Sequence, residues 1–198
     1  IRGIGASSDG RGKGITAPSQ RGQIQAIERA YAQAGYQVGT VGLIEAHGTS
    51  TKVGDATELA SLATAFGGAP SGDLVAVGSV KSQIGHLKAA AGIAGLIKTT
   101  LALREATLSP SAGFQTPNPN VAWEDNPFYV PTSARPWPSP RGHPRRAGIS
   151  AFGFGGTNWH VALEAYDPVH HKSVMDGFRS TAPARPSLTW EQMKSVEG

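Results

Sequence analysis

Ile24, Ile27, Ala30, Tyr31 and Ala34 recur at the three-and-four spacing of one helix face, which predicts a helix over residues 19–34. Ser19 supplies its cap and Gly35 its stop. Val41 to Ala46 is a short apolar run between glycines, hence a buried strand. A helix over 55–66 follows, with Asp55 and Glu58 at capping-box spacing. Leu74 to Ser79 predicts a second short strand, and residues 87–104 a helix rich in Ala and Gly. Small residues on several of its faces let other backbone approach closely, so this helix is expected at the centre of the fold. Residues 105–127 carry four prolines with 127 included and read as an irregular crossing segment. Phe128 to Val130 predicts a short strand. Residues 147–152 and 159–165 predict a strand pair around Gly153-Phe-Gly-Gly-Thr-Asn158, the second strand alternating Trp159, Val161, Leu163 and Ala165 with His160, Ala162 and Glu164.

Strands that alternate with helices at such spacing argue for an α/β layered fold. In these folds ligands gather beyond the C-terminal ends of the strands. Two histidine motifs, at 47 and 86, fall at predicted strand-to-helix junctions. Residues 1–166 carry this pattern as one domain. Beyond Tyr166 periodicity is lost, and 167–198 reads as a proline-bearing interdomain linker or tail, with a short helix near Trp190 as a further expectation.

Composition narrows the function. The chain has 198 residues, 39% hydrophobic and 16% charged, which excludes a highly charged disordered polymer. The apolar stretch from Ala89 to Ile97 lies between lysines and is less than half a bilayer-spanning helix, so no membrane role is expected. The net charge of +4 is modest and part of it sits in proline-rich sequence after Arg135, which disfavours nucleic-acid binding. There is no cysteine, so no disulfide, thiolate metal site or cysteine nucleophile exists within these residues.

Three motifs carry candidate chemistry. Glu45-Ala-His-Gly-Thr-Ser-Thr51 sets an imidazole at a strand end, followed by hydroxyls that can meet an amide-rich ligand arm. Taken alone, a single His in a turn is more often structural. Lys81-Ser-Gln-Ile-Gly-His86 places an ammonium and a second imidazole on one turn. Two neutral imidazoles donating to one developing oxyanion need no metal, and the cation nearby would depress imidazole pKa and keep the rings neutral. No His-x-x-x-His spacing supports a metal site. Gly12-Lys13-Gly14 lacks the first glycine and the hydroxyl of a phosphate loop, and Gly3-Ile-Gly5 lacks the third glycine of a dinucleotide fingerprint. Phe152-Gly-Phe-Gly-Gly-Thr-Asn158 can converge backbone N–H groups on an anion, or simply form a glycine-rich hairpin.

In this order and spacing, the three motifs, with Ala89-Ala-Ala-Gly-Ile-Ala-Gly95 and Pro117-Asn-Pro-Asn120 between them, resemble the C-terminal half of β-ketoacyl synthases. The Arg2-Gly-Ile-Gly-Ala-Ser-Ser-Asp-Gly10 opening and Arg135-Pro-Trp-Pro138 resemble type I polyketide synthases, with similarity also to the polyunsaturated-fatty-acid branch. The resemblance implies a thiolase-like fold of two α/β halves in five layers, a homodimer built on the N-terminal half, and a cytoplasmic enzyme. It implies decarboxylative Claisen condensation of an acyl thioester with malonyl carrier protein. His47 and His86 match the family histidines that steady the thioester oxygen and the enolate, and Lys81 the lysine supporting the second histidine. Thr49 and Thr51 match hydroxyls that contact the phosphopantetheine arm of the acyl carrier protein. Phe154, with Gly155, matches the gating and oxyanion-hole loop. Asp55 and Glu58 match acidic positions that read as structural.

The family's cysteine belongs to its N-terminal half. The nucleophile is therefore expected outside these residues, and the 198 residues alone are expected to be inactive. No cofactor is expected on the chain itself. The alternative is a synthase-like subunit that does not condense: a decarboxylase, a chain-length subunit, or a carrier-protein docking module using Arg141, Arg145 and Arg146. A degradative thiolase would carry a second cysteine in this half, which is absent.

Overall fold

The computed structural model describes residues 1–10, 14, 17–67 and 74–172. The short helix expected near Trp190, the Gly12-Lys13 positions and most of the proposed linker lie outside them. Ile1–Tyr166 forms one compact unit and Asp167–Gly198 a second.

In the first unit, β1 (Gly3–Ser8) leads to α1 (Gln20–Ala34), β2 (Leu43–Glu45), α2 (Lys52–Ala65) and β3 (Val75–Gly78). A four-residue α3 (Lys81–Ile84) precedes α4 (Ala91–Glu105), then β4 (Thr107–Leu108), β5 (Phe128–Tyr129), β6 (Arg135–Pro136), β7 (Arg146–Gly153) and β8 (Thr157–Glu164). Six strands form a mixed sheet in the order β1-β8-β7-β2-β3-β5. The pairs β7–β2, β2–β3 and β3–β5 are parallel, while β1 and β7 run antiparallel to β8. The β4–β6 ribbon, which the sequence pattern did not predict, stands apart.

Strand alternation divides the core between the two sheet faces. Ile44, Val75 and Val77 meet Ile27 and Tyr31 of α1 and Leu59 and Leu62 of α2. Leu43, Ala76 and Ile149 meet Ala102 and Leu103 of α4. The α/β layering expected from the sequence is thus present. The first helix begins at its expected cap: Ser19 Oγ accepts the Gly22 N–H, and Gly35 closes the helix in the left-handed region. The close approach of α1 to β1 depends on Gly5, where a Cβ would collide with the Ala26 carbonyl oxygen.

Four expectations need correction. α2 starts at Lys52, not Asp55, because Thr51 Oγ1 accepts the Gly54 N–H at 3.1 Å and caps the helix. The helix drawn over 87–104 begins only at Ala91, because Gly85 (φ 75°) and Lys88 (φ 54°) break the helical path between α3 and α4. That helix also does not lie at the centre of this chain: Ile93, Ile97 and Leu101 are 53, 56 and 43% exposed on its outer side. In β8, moreover, His160 and Ala162 are as buried as Leu163, since their face packs on Ile27, Ala30 and Tyr31 of α1, whereas Trp159 on the opposite face is 47% exposed.

Candidate functional site

The parallel strands β2 and β3 end side by side, and both histidine turns leave from those ends. Glu45 is opposite Gly78, and the Ala46 N–H still donates to the Gly78 carbonyl at 2.7 Å. The chain then turns at His47, and two successive amides are caught by one carboxylate. Glu58 Oε1 accepts the His47 N–H at 2.7 Å and Oε2 the Gly48 N–H at 2.9 Å. Glu58, spaced from Asp55 like a capping box, is instead buried beneath the turn. Burial pushes its carboxyl up to about 7, against the pull of those two amides.

The imidazoles of His47 and His86 stand with ring centroids 6.0 Å apart at 86°. The Phe152 N–H, from β7, donates to His47 Nδ1 at 3.3 Å, and the Lys88 N–H donates to His86 Nδ1 at 3.0 Å. An Nδ1 that accepts carries no proton, so each neutral ring bears its N–H at Nε2. The backbone has fixed both tautomers. Burial depresses His47 to about 4, with the Lys81 ammonium and His86 adding to the effect. His47 is therefore uncharged at neutral pH and able to donate. Lys81 is itself lowered by burial, while the Glu58 and Glu45 carboxylates hold it up. Two imidazole N–H donors thus lie close together, with a cation within electrostatic reach of His47, a set that can stabilise a developing negative charge.

His47, Lys81 and His86 are thus brought together. Thr51 and Thr49 lie on the turn after His47, but the Thr51 oxygen is committed to the helix cap, which leaves its hydroxyl proton to donate. Phe154 and Gly155 sit at the exposed tip of the β7–β8 hairpin, Phe154 being 89% exposed and Gly155 at φ 89°. The aromatic ring against His47 is Phe152, at 5.7 Å. The same Gly-rich motif held that residue, but only the pairing of β7 beside β2 singles it out. The hairpin is braced from below by Asp9, whose N–H donates to the Gly156 carbonyl at 2.8 Å and whose Oδ1 accepts from Asn158 Nδ2 at 2.7 Å.

The arginines of the docking alternative are largely spent on the fold. Arg146 is buried, bonded to Glu164 Oε2 at 2.7 Å and Thr40 Oγ1 at 2.9 Å, with its guanidinium 4.3 Å from the Tyr36 ring centre. Arg145 holds the Leu103 carbonyl at 3.0 Å and Ser139 Oγ at 2.7 Å. In the second unit, Asp167 Oδ1 accepts the Val169 and His170 N–H groups, a local turn. No helix among the described residues is long and apolar enough to cross a membrane.

Comparison with known proteins gives the site a context. Residues 1–115 match the family described as "Beta-ketoacyl synthase, C-terminal domain", and residues 117–189 match "Ketoacyl-synthetase C-terminal extension". Over 178 residues, 86% of the chain, the sequence is 47% identical to a polyunsaturated fatty acid synthase of Thraustochytrium sp.. It is 45% identical over 83% of the chain to a phenolphthiocerol/phthiocerol polyketide synthase of Mycobacterium tuberculosis. The chain spans only 6 and 9% of those two relatives. Among solved structures, the ketosynthase from module 6 of the bacillaene synthase of Bacillus subtilis 168 superposes with a TM-score of 0.80 at 38% identity, covering 91% of this chain and 35% of that one. An oxazolomycin ketosynthase domain gives 0.81 at 40% identity, covering 85% of this chain and 31% of its own.

Proposed function

The chain belongs to the β-ketoacyl synthase C-terminal domain family, and from that premise we propose that it supplies the decarboxylating half of a condensing site. The fold is the thiolase-like α/β fold of ketosynthases. The observation that carries the reading is the edge-to-face pair of imidazoles, each with Nδ1 occupied by a backbone amide and its N–H at Nε2.

In the proposed reaction an acyl group rests as a thioester on a thiol contributed from outside these residues, since the chain has no cysteine. A malonyl thioester, delivered on the phosphopantetheine arm of an acyl carrier protein along the Thr49–Thr51 turn, accepts hydrogen bonds at its carbonyl oxygen from His47 and His86. As carbon dioxide leaves, the electron pair of the broken C–C bond moves onto that oxygen as an enolate, where the two N–H groups stabilise it. The enolate carbon then attacks the acyl carbonyl, and the thiolate departs. Lys81 strengthens the positive potential without competing for the oxygen. Phe154 and Gly155, on an exposed hairpin tip, close over the substrate and offer an N–H to the acyl oxygen.

The partner that brings the thiol is the N-terminal half of the synthase. It covers the apolar outer surface made by Ile84, Leu87, Ile93, Ile97 and Leu101, five side chains 42–56% exposed in the chain alone. The intact enzyme is then a homodimer built on that other half, placed in the cytoplasm. A protein that decarboxylates without condensing would use the same imidazoles.

In the complete synthase, His86→Ala is expected to cut carbon dioxide release from malonyl carrier protein about 100-fold or more while leaving acylation of the thiol intact. Unchanged release removes His86 from the proposed role. Carbon dioxide without any 3-oxoacyl product from the parent enzyme would favour the non-condensing reading.

A further inference from the structure

Glu45 is the last residue of β2 and is only 2% exposed, yet both of its carboxylate oxygens have work elsewhere. Oε1 accepts the Val80 N–H at 2.5 Å, and Oε2 accepts from Lys98 Nζ at 2.8 Å. The Lys98 side chain, reaching in from α4, is 15% exposed. Gly95 leaves room for this pair: a Cβ there would stand 3.0 Å from Glu45 Cγ and 3.4 Å from its Oε1.

A buried ion pair is a weak source of net stability, because both charges give up water. Its geometry here is more informative than its energy. Glu45 stands two residues before His47, and Val80 immediately precedes Lys81. One carboxylate therefore spans the two strand ends from which the histidine turns depart, and Lys98 ties that carboxylate to α4. Other side-chain fastenings of the second turn are half-buried or exposed, among them Ser82 Oγ to the Ser79 carbonyl at 2.8 Å, Gln83 Nε2 to the Pro110 carbonyl at 2.9 Å, and Ser82 Oγ accepting the Ala112 N–H at 3.2 Å. Resting on the ketosynthase reading above, we propose that Glu45 and Lys98 form a positioning clamp that sets the distance between the His47 and His86 imidazoles. The charge matters as well as the shape. Burial raises the Glu45 carboxyl, and the Lys98 ammonium and the Val80 amide oppose that rise, so the carboxylate keeps two acceptor oxygens and supports the charge on Lys81.

The test uses the complete synthase carrying Lys98→Met, Lys98→Arg or Glu45→Gln. In Lys98→Met, kcat for decarboxylation of malonyl carrier protein is expected to fall about 100-fold with KM changed less than about 2-fold. Lys98→Arg, which keeps the cation, is expected to return kcat to within about 5-fold of the parent. With ¹⁵N-labelled histidine, the Nδ1 signals of His47 and His86 should shift in Lys98→Met as their amide bonds loosen. Those of His160, held by Ser150 and Tyr31 in the core, should stay. A folded Lys98→Met enzyme with parental kcat and unmoved His47 and His86 signals overturns the clamp. If that variant also loses the His160 signals it has unfolded, and Glu45→Gln, equal in shape without the charge, decides by the same two readouts. A parent enzyme that releases no carbon dioxide counts against the ketosynthase reading alone, and the imidazole signals still judge the clamp.

Discussion

α1 and α4 are both 15-residue helices, and they cover opposite faces of one sheet. α1 buries Ala26, Ile27, Ala30, Tyr31 and Ala34 and turns Arg21, Glu28, Arg29 and Gln33 outward, the one-sided pattern of a helix that meets water. α4 buries Gly95, Thr99, Ala102 and Leu103, yet its outward side carries Ile93, Ile97 and Leu101. A helix apolar on both sides is suited to burial on both sides. The α1 face of the sheet is finished within this chain, whereas the α4 face, next to the His86 turn, leaves Ile93, Ile97 and Leu101 exposed. That difference explains why the 82–90 segment, which includes one of the two imidazoles, is exposed while His47 is half-buried.

Substitutions on the two faces should therefore behave differently. On the finished face, Leu62→Ala leaves a cavity under a fully buried side chain and is expected to cost about 3 kcal/mol in chemical denaturation. A loss below about 1 kcal/mol would mean that this face is looser than its burial implies. Gly5→Ala, which drives a methyl into the Ala26 carbonyl, is expected to cost about 2 kcal/mol and to move α1 off β1.

His160 sharpens the same face through pH. It is fully buried between Ser150 Oγ at 3.0 Å and Tyr31 Oη at 3.2 Å, and burial lowers it to about 3. Unfolded histidine takes up a proton near pH 6.5, which the folded ring refuses. Its contribution is thus complete above that pH and is lost as pH falls towards 3. His160→Gln is expected to shrink the stability difference between pH 6.5 and pH 5 by about 2 kcal/mol, read from unfolding curves at the two pH values. An identical pH slope in the variant would show that the ring is protonated in place.

On the open face the smallest effect is expected. Ile97→Asn should change the stability of the chain alone by less than about 0.5 kcal/mol, because the side chain is already 56% exposed. Hydrophobic-dye binding by the chain should drop, and association with the thiol-bearing half should weaken. Undiminished association would move the interface away from α4.

The sequence alone determined what is local. The spacing of Ile24, Ile27, Ala30 and Tyr31, with Ser19 and Gly35 at the ends, suffices for α1, since helix period and capping depend on neighbours within a few residues. The three motifs likewise marked His47, Lys81 and His86, and their order carried the family. The cap at Thr51 was hidden because Asp55 and Glu58 offered a competing local pattern, and only burial beneath the His47 turn turned Glu58 to another use. Tertiary structure alone decided which partners meet: Phe152 against His47, Asp9 under the Gly156 hairpin, and Glu45 between Val80 and Lys98. These contacts join residues up to 149 positions apart, and nothing in a one-dimensional period records which strand ends will lie side by side. The α4 surface shows the same limit from the other direction. Its apolar residues were legible in the sequence, but whether each faces the sheet or the outside was fixed only when the chain broke at Gly85 and Lys88 and set the helix's rotation against β7.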